Sequence, residues 1–174
     1  MVLKASSVLL GLLCLAMPVQ AAQKAAVLPF EIIQQPSKDD FFFIPQEKEN
    51  PVEDQRLKDA TEQMKELMKA SGKYEIVELN GLDKEIEDAS PLYKCRCEGS
   101  FGKKVGADIV VSGIFEKVSE SLTRVTVREH DASSGKLTRS MKAVMQGNTD
   151  LSWQNVVKWI AKNRLLKSKA KGKK

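Results

Sequence analysis

Apolar positions along the chain follow two spacings, a period of two and a period of about 3.6, and their order predicts the fold. Ala25-Ala26-Val27-Leu28-Pro29-Phe30-Glu31-Ile32 reads as an opening strand. Pro29 removes a ladder donor, so this strand is expected to bulge there or to lie near an edge. Asn50-Pro51 supplies a cap and a first-turn proline, and Glu53 and Asp54 suit the positive end of a helix. Leu57, Ala60, Met64, Leu67 and Met68 then recur at helical spacing until Ser71-Gly72. Tyr74 to Leu79 alternates as a second strand, and the polar, acidic stretch from Asn80 to Pro91 reads as loop.

Leu92 to Val105 reads as a short helix carrying two cysteines and weakened by Gly99 and Gly102. Ala107 to Phe115 is a β-branched, strongly apolar run, the pattern of a central strand buried on both faces. Leu122 to Glu129 and Leu137 to Met145 alternate on either side of Asp131-Ala132-Ser133-Ser134-Gly135-Lys136, which predicts a β-hairpin. Asp150 caps a final amphipathic helix with Trp153, Val156, Val157, Ile160 and Leu165 on one side. The order β-α-β-α-β-β-β-α predicts an α/β fold: three layers around a mixed sheet of about five strands.

Residues 1–21 have a different character. Lys4 precedes the apolar run Val8 to Ala16, and small residues follow at Val19 and Ala21. A basic start, a short apolar core and small residues at a cut point read as a cleaved secretory signal. The run is too short to span a hydrocarbon core of about 30 Å. The expected organisation is a signal peptide at 1–21, one α/β domain at 22–161 and a basic tail at 162–174, with a periplasmic location.

The net charge of +5 is unevenly placed. Seven basic residues and no acids lie from Lys162 onward: Lys162, Arg164, Lys167, Lys169, Lys171, Lys173 and Lys174. Without these and Lys4, 20 basic residues face 23 acidic ones. The body is mildly acidic and lacks the basic face that nucleic-acid binding requires. The tail suits weak contact with anionic lipid or an acidic partner, at about 1 kcal/mol for each basic residue near such a surface. Lys167, Lys169, Lys171, Lys173 and Lys174 are its candidate contacts.

Candidate chemistry is sparse. Beyond the signal only Cys95 and Cys97 remain, two thiols with Lys94 and Arg96 beside them to lower a thiol pKa. They admit a structural disulfide or inert thiols, a redox pair, or a soft-metal site for Cu(I) or Zn(II). His130, the one histidine, lies at a strand end between Glu129 and Asp131 and reads as a solvated hairpin residue. A single histidine offers no zinc-protease pair, and Gly99-Ser100-Phe101-Gly102-Lys103-Lys104 matches no phosphate loop. Phe41-Phe42-Phe43-Ile44 places four large apolar residues in a polar, proline-punctuated stretch. Exposed, they form a partner-binding patch; buried, they cover a sheet edge or a helix.

Several of these stretches occur together in a recognisable order: Val27-Leu28-Pro29-Phe30, then Gly106-Ala107-Asp108 running into Ser112-Gly113, then the hairpin turn from Asp131 to Gly135-Lys136, then Gly147-Asn148-Thr149-Asp150 with Trp153. This order resembles a family of small exported proteobacterial proteins described only as a domain of unknown function. At the level of fold it resembles the N-terminal domain of TolB and the CsgG type of periplasmic module. The resemblance implies a three-layer fold and an envelope location and brings no catalytic residues. The expected role is a non-catalytic periplasmic binding or assembly accessory acting through protein contacts, with no cofactor, an envelope protein as partner and Phe41 to Ile44 as the contact. The alternative is a periplasmic thiol-redox or soft-metal-handling protein using Cys95 and Cys97.

Overall fold

The computed structural model describes residues 21–34, 50–119 and 121–167. The opening strand is split at the proline into β1 (Gln23–Val27) and β2 (Glu31–Gln34). Helix α1 (Pro51–Ala70) follows, then a short β3 (Tyr74–Ile76). Three small helices come next: α2 (Asp83–Asp88), α3 (Leu92–Cys95) and α4 (Glu98–Lys104). A long β4 (Ile109–Ser119) leads to the hairpin β5 (Leu122–Asp131) and β6 (Leu137–Gln146). Helix α5 (Asp150–Ile160) runs into a π-helical turn at Ala161–Leu165.

The six strands form one mixed sheet ordered β3-β1-β4-β5-β6, with β2 also paired to β4. β1 runs parallel to β3 and to the first half of β4 (Ala25 opposite Ile109, Val27 opposite Val111). β2 continues along the second half of β4, with Glu31 opposite Ile114. The hairpin strands are antiparallel, as expected from the alternation. The α/β reading therefore holds, and the count of strands rises to six because Pro29 interrupts the first.

Alternating side chains on β4 define two faces. Ile109, Val111 and Phe115 join Ala25, Val27, Val125, Val127, Met141 and Met145 beneath α1 and α5, which contribute Met64, Met68, Trp153, Val157 and Ile160. Phe115 stacks on Trp153 with ring centroids 4.2 Å apart and planes at 11°. Val110, between Ile109 and Val111, points the other way and packs with Leu28, Leu82, Leu92, Phe101 and Ala132 beneath α2 to α4. Met64, Met68, Met141 and Met145 lie in the core.

The cap of α1 is the expected Asn50, whereas that of α5 is Thr149, one residue before the expected Asp150. Asn50 Oδ1 accepts from Val52 N at 3.2 Å, and Thr149 and Ser152 form a reciprocal capping box at the start of α5. Glu53, read from the sequence as a complement to the helix dipole, is in fact 2 % exposed. Its carboxylate pairs with Lys117 at the far end of β4 and accepts from Asn148 Nδ2 at 3.2 Å. Asn148 Oδ1 in turn accepts from Trp153 Nε1 at 2.9 Å and Arg56 Nη1 at 3.0 Å. This polar network ties the first turn of α1 to the turn before α5.

Two short elements differ from expectation. The segment read as loop contains α2, whose single inward apolar residue, Ile86, gives no periodicity to detect. The helix expected over Leu92 to Val105 is two helices, parted at Arg96, whose φ of 52° lies in the left-handed region. The glycines of α4 are contact points. A Cβ on Gly99 would lie 2.6 Å from Gly135 Cα, and one on Gly102 would lie 2.7 Å from Ala132 Cβ. Their absence of side chains lets α4 lie directly on the hairpin.

Candidate functional site

The chain leaves β1 and β3 in opposite directions. After β1 and β2 the next helix, α1, lies on one face of the sheet, and after β3 the next, α2, lies on the other. Adjacent parallel strands whose connections diverge leave a crevice beyond their carboxyl ends, the position where open α/β sheets bind ligands. A groove of about 1000 Å³ lies there, bordered by Val27, Pro29 and Phe30 after β1, by α1, and by the β3–α2 connection with α2.

Pro29 shapes its floor. Leu28 N still donates to Val111 O at 2.9 Å, as a continuing strand would. Pro29 has no N–H to give, and the next one, Phe30 N, turns to Thr61 Oγ1 on α1 at 3.0 Å. Phe30 is thereby buried, at 4 % exposure, against β4, where Gly113 leaves room for its ring. Leu57, Leu79 and Ile86, each half-buried, complete an apolar floor with Val27 and Pro29.

The rim is charged. Among the described residues Asp54, Glu62, Glu78, Asp83 and Glu87 face the groove with Lys58 and Lys65 opposing them, five carboxylates against two ammonium groups. Lys65 is held between Glu62 at 2.8 Å and Glu78 at 3.3 Å. Burial works against its charge, and the two carboxylates outweigh that and raise its pKa above the usual lysine value. Asp54, Asp83 and Glu87 are exposed and have no ion-pair partner among the described residues. Among the described residues that line the groove there is no cysteine or histidine, and the one serine and one threonine, Ser90 and Thr61, have no base beside them. Thr61 Oγ1 is committed to Leu57 O and Phe30 N. This lining suits binding.

The residues singled out from the sequence fall elsewhere. Phe41, Phe42, Phe43 and Ile44 lie outside the described residues, as do Lys169, Lys171, Lys173 and Lys174. Lys167 is exposed just beyond the π-helical turn. Cys95 and Cys97 are joined as a disulfide at the junction of α3 and α4 and pack against the second core cluster. Among the described residues no three His, Cys, Asp or Glu side chains are grouped to hold a metal ion, and no helix is long and apolar enough to cross a membrane.

His130 corrects its sequence reading. It is 7 % exposed, with Nε2 3.8 Å from Glu98 Oε1, itself buried, and Nδ1 without a hydrogen-bond partner among the described residues. His130 lies opposite Val110, on the face that α4 covers through its two glycines, so a hairpin-end residue is sealed by a helix the sequence pattern barely shows. The groove itself was missed because four separate segments line it. The one sequence signal that touches it is Pro29 inside an otherwise apolar strand.

Among solved structures, the chain resembles LpoB of Escherichia coli at a TM-score of 0.51 and 15 % identity, over 75 % of this chain and 60 % of that one. The LpoB C-terminal domain from the same organism matches at a TM-score of 0.49 and 18 % identity, covering 75 % of this chain and 87 % of that one. A PelC dodecamer from Paraburkholderia phytofirmans matches at 0.49 and 14 % identity, over 81 % and 86 % of the two chains. At these identities the likeness concerns the fold. The TolB and CsgG resemblance expected from the sequence is not supported by these matches. No curated protein is significantly similar in sequence. A family pattern covers residues 23–165, the whole of the described fold from β1 to the π-helical turn, and by that match the chain belongs to the family described as "Protein of unknown function (DUF2380)".

Proposed function

We propose that the protein is a non-catalytic accessory of the bacterial periplasm that acts by binding another envelope protein, and that the groove between α1 and α2 is its contact surface. One observation carries this reading: the crevice where this type of sheet places its ligands has an apolar floor and a charged rim and brings no nucleophile and base together. The leader pattern of residues 1–21 supports the location. Phe41 to Ile44 is proposed as a second contact, on the segment that joins β2 to α1.

A thiol-redox role for Cys95 and Cys97 is the second reading. Its support is the disulfide itself, with the basic, exposed Lys94 and Arg96 flanking it.

The test is purification of the tagged protein from its native envelope. Wild type is expected to bring down a partner, and Ile86→Asp to lose it; because Ile86 also packs against the second core cluster, the variant is compared at a temperature where its circular-dichroism spectrum matches that of wild type. Undiminished recovery with Ile86→Asp, or loss caused only by Cys95→Ser, overturns the groove assignment.

A further inference from the structure

We infer that the groove recognises a cationic, amphipathic segment of its partner, a stretch in which lysine or arginine alternates with apolar side chains. The inference rests on the groove being the contact surface and adds what chemistry fills it. Val27, Pro29, Phe30, Leu57, Leu79 and Ile86 form a floor that requires apolar side chains, since burying anything polar there would leave it unpaired. The charged residues around that floor divide into two groups. Lys65 is held between Glu62 and Glu78, so this wall keeps one net negative charge. Asp54, Asp83 and Glu87 have no ion-pair partner among the described residues, and only Lys58 stands near them unpaired.

The described residues of the lining have a formal charge of −3, five acids against two bases. An acidic or neutral segment entering it would meet uncompensated carboxylates, and a basic one would relieve them. Complementary potential of this kind selects the partner and speeds encounter, while the apolar floor supplies most of the affinity. The acids lie on both sides of the floor, Asp54 on α1 and Asp83 and Glu87 at α2. A segment lying along the groove therefore meets negative charge on each flank.

The experiment titrates the full exported chain with a fluorescein-labelled peptide that alternates lysine with leucine, and with its glutamate–leucine counterpart. The lysine peptide is expected to bind and the glutamate peptide to fail. Asp83→Lys with Glu87→Lys is expected to weaken binding about tenfold, while Glu66→Lys, exposed on α1 outside the groove, leaves it unchanged. Lys58→Glu is expected to strengthen it. Raising ionic strength beyond the physiological range should weaken binding of the wild type and leave the doubly reversed variant nearly insensitive.

Equal binding of both peptides, or indifference to the reversal, overturns the inference. Ile86→Asp separates the two levels: if it abolishes binding while the reversal does nothing, the groove stands as contact surface and the cationic chemistry falls. Replacing Lys169, Lys171, Lys173 and Lys174 by Gln is expected to change nothing. A tenfold gain in that variant would make the chain's own tail the occupant and overturn the assignment to a partner.

Discussion

Gly113 and Phe30 provide the sharpest test of how the groove floor is built. A Cβ placed on Gly113 would lie 2.6 Å from Cδ1 and Cγ of Phe30 and 2.7 Å from Cδ2. Carbon atoms prefer about 3.5–4.0 Å, so the ring would have to retreat by roughly 1 Å. It has little room to do so. Phe30 is 4 % exposed, its N–H is fixed to Thr61, and its ring lies 6.3 Å from that of Phe115. Overpacking at a confined site costs about 1–3 kcal/mol, and the three simultaneous ring contacts place Gly113→Ala in the upper half of that range. For a chain of this size the corresponding fall in Tm is roughly 4–12 °C. Backbone strain does not contribute, because Gly113 sits in regular strand pairing opposite Val127. Urea unfolding of wild type, Gly113→Ala, Phe30→Leu and the double variant closes a cycle. Gly113→Ala should cost at least about 1 kcal/mol less in the Phe30→Leu background than in wild type. An equal cost in both backgrounds, or no cost in either, would refute the steric account.

Two further predictions concern charge. Lys117→Met should destabilise the protein by about 3 kcal/mol, the low end for a broken buried pair because Lys117 is 25 % exposed, and Glu53→Leu added to it should restore most of the loss in the same urea assay. Asp131 accepts from Ser133 Oγ, Ser134 Oγ and Ser134 N, which hold its carboxyl down from an ordinary 3.8 to about 2. Because the folded form is the more acidic, its stabilising contribution is complete above pH 3.8 and is lost as pH falls toward 2. Asp131→Asn should be less stable at neutral pH and show a flatter stability profile across that acid window; an unchanged profile would mean the turn hydrogen bonds do not form in solution.

The large elements were legible because each carries a strong local pattern. Leu57, Ala60, Met64 and Met68 repeat at helical spacing behind a capping asparagine, and Val110 and Val111 sit in a run too apolar for anything but a central strand. What escaped depends on residues distant in sequence. Nothing near Glu53 signals that it will be buried, because its partners Lys117 and Asn148 arrive from β4 and from the turn before α5. Gly99 and Gly102 lower helix propensity when read locally, and only the hairpin lying against them shows that their small size is what the packing needs. His130 is hidden by that same contact. The groove is assembled from the break at Pro29, one face of α1, and a short acidic helix that has too few apolar residues to announce itself.

The position of β1 bears on how the chain reaches its native state. The first strand made is an interior one: it is flanked by residues 74–76 on one side and 109–111 on the other. During synthesis, which proceeds from the amino end, Ala25, Ala26 and Val27 gain one neighbour only once residue 76 has been made and the other only at residue 111 of 174, well past the midpoint. Sheet closure is therefore a late event governed by long-range contacts, which folds slowly compared with local structure and leaves a sticky segment waiting. Any factor that shields those residues from the ribosome onward would be acting on the nascent form, before the groove exists.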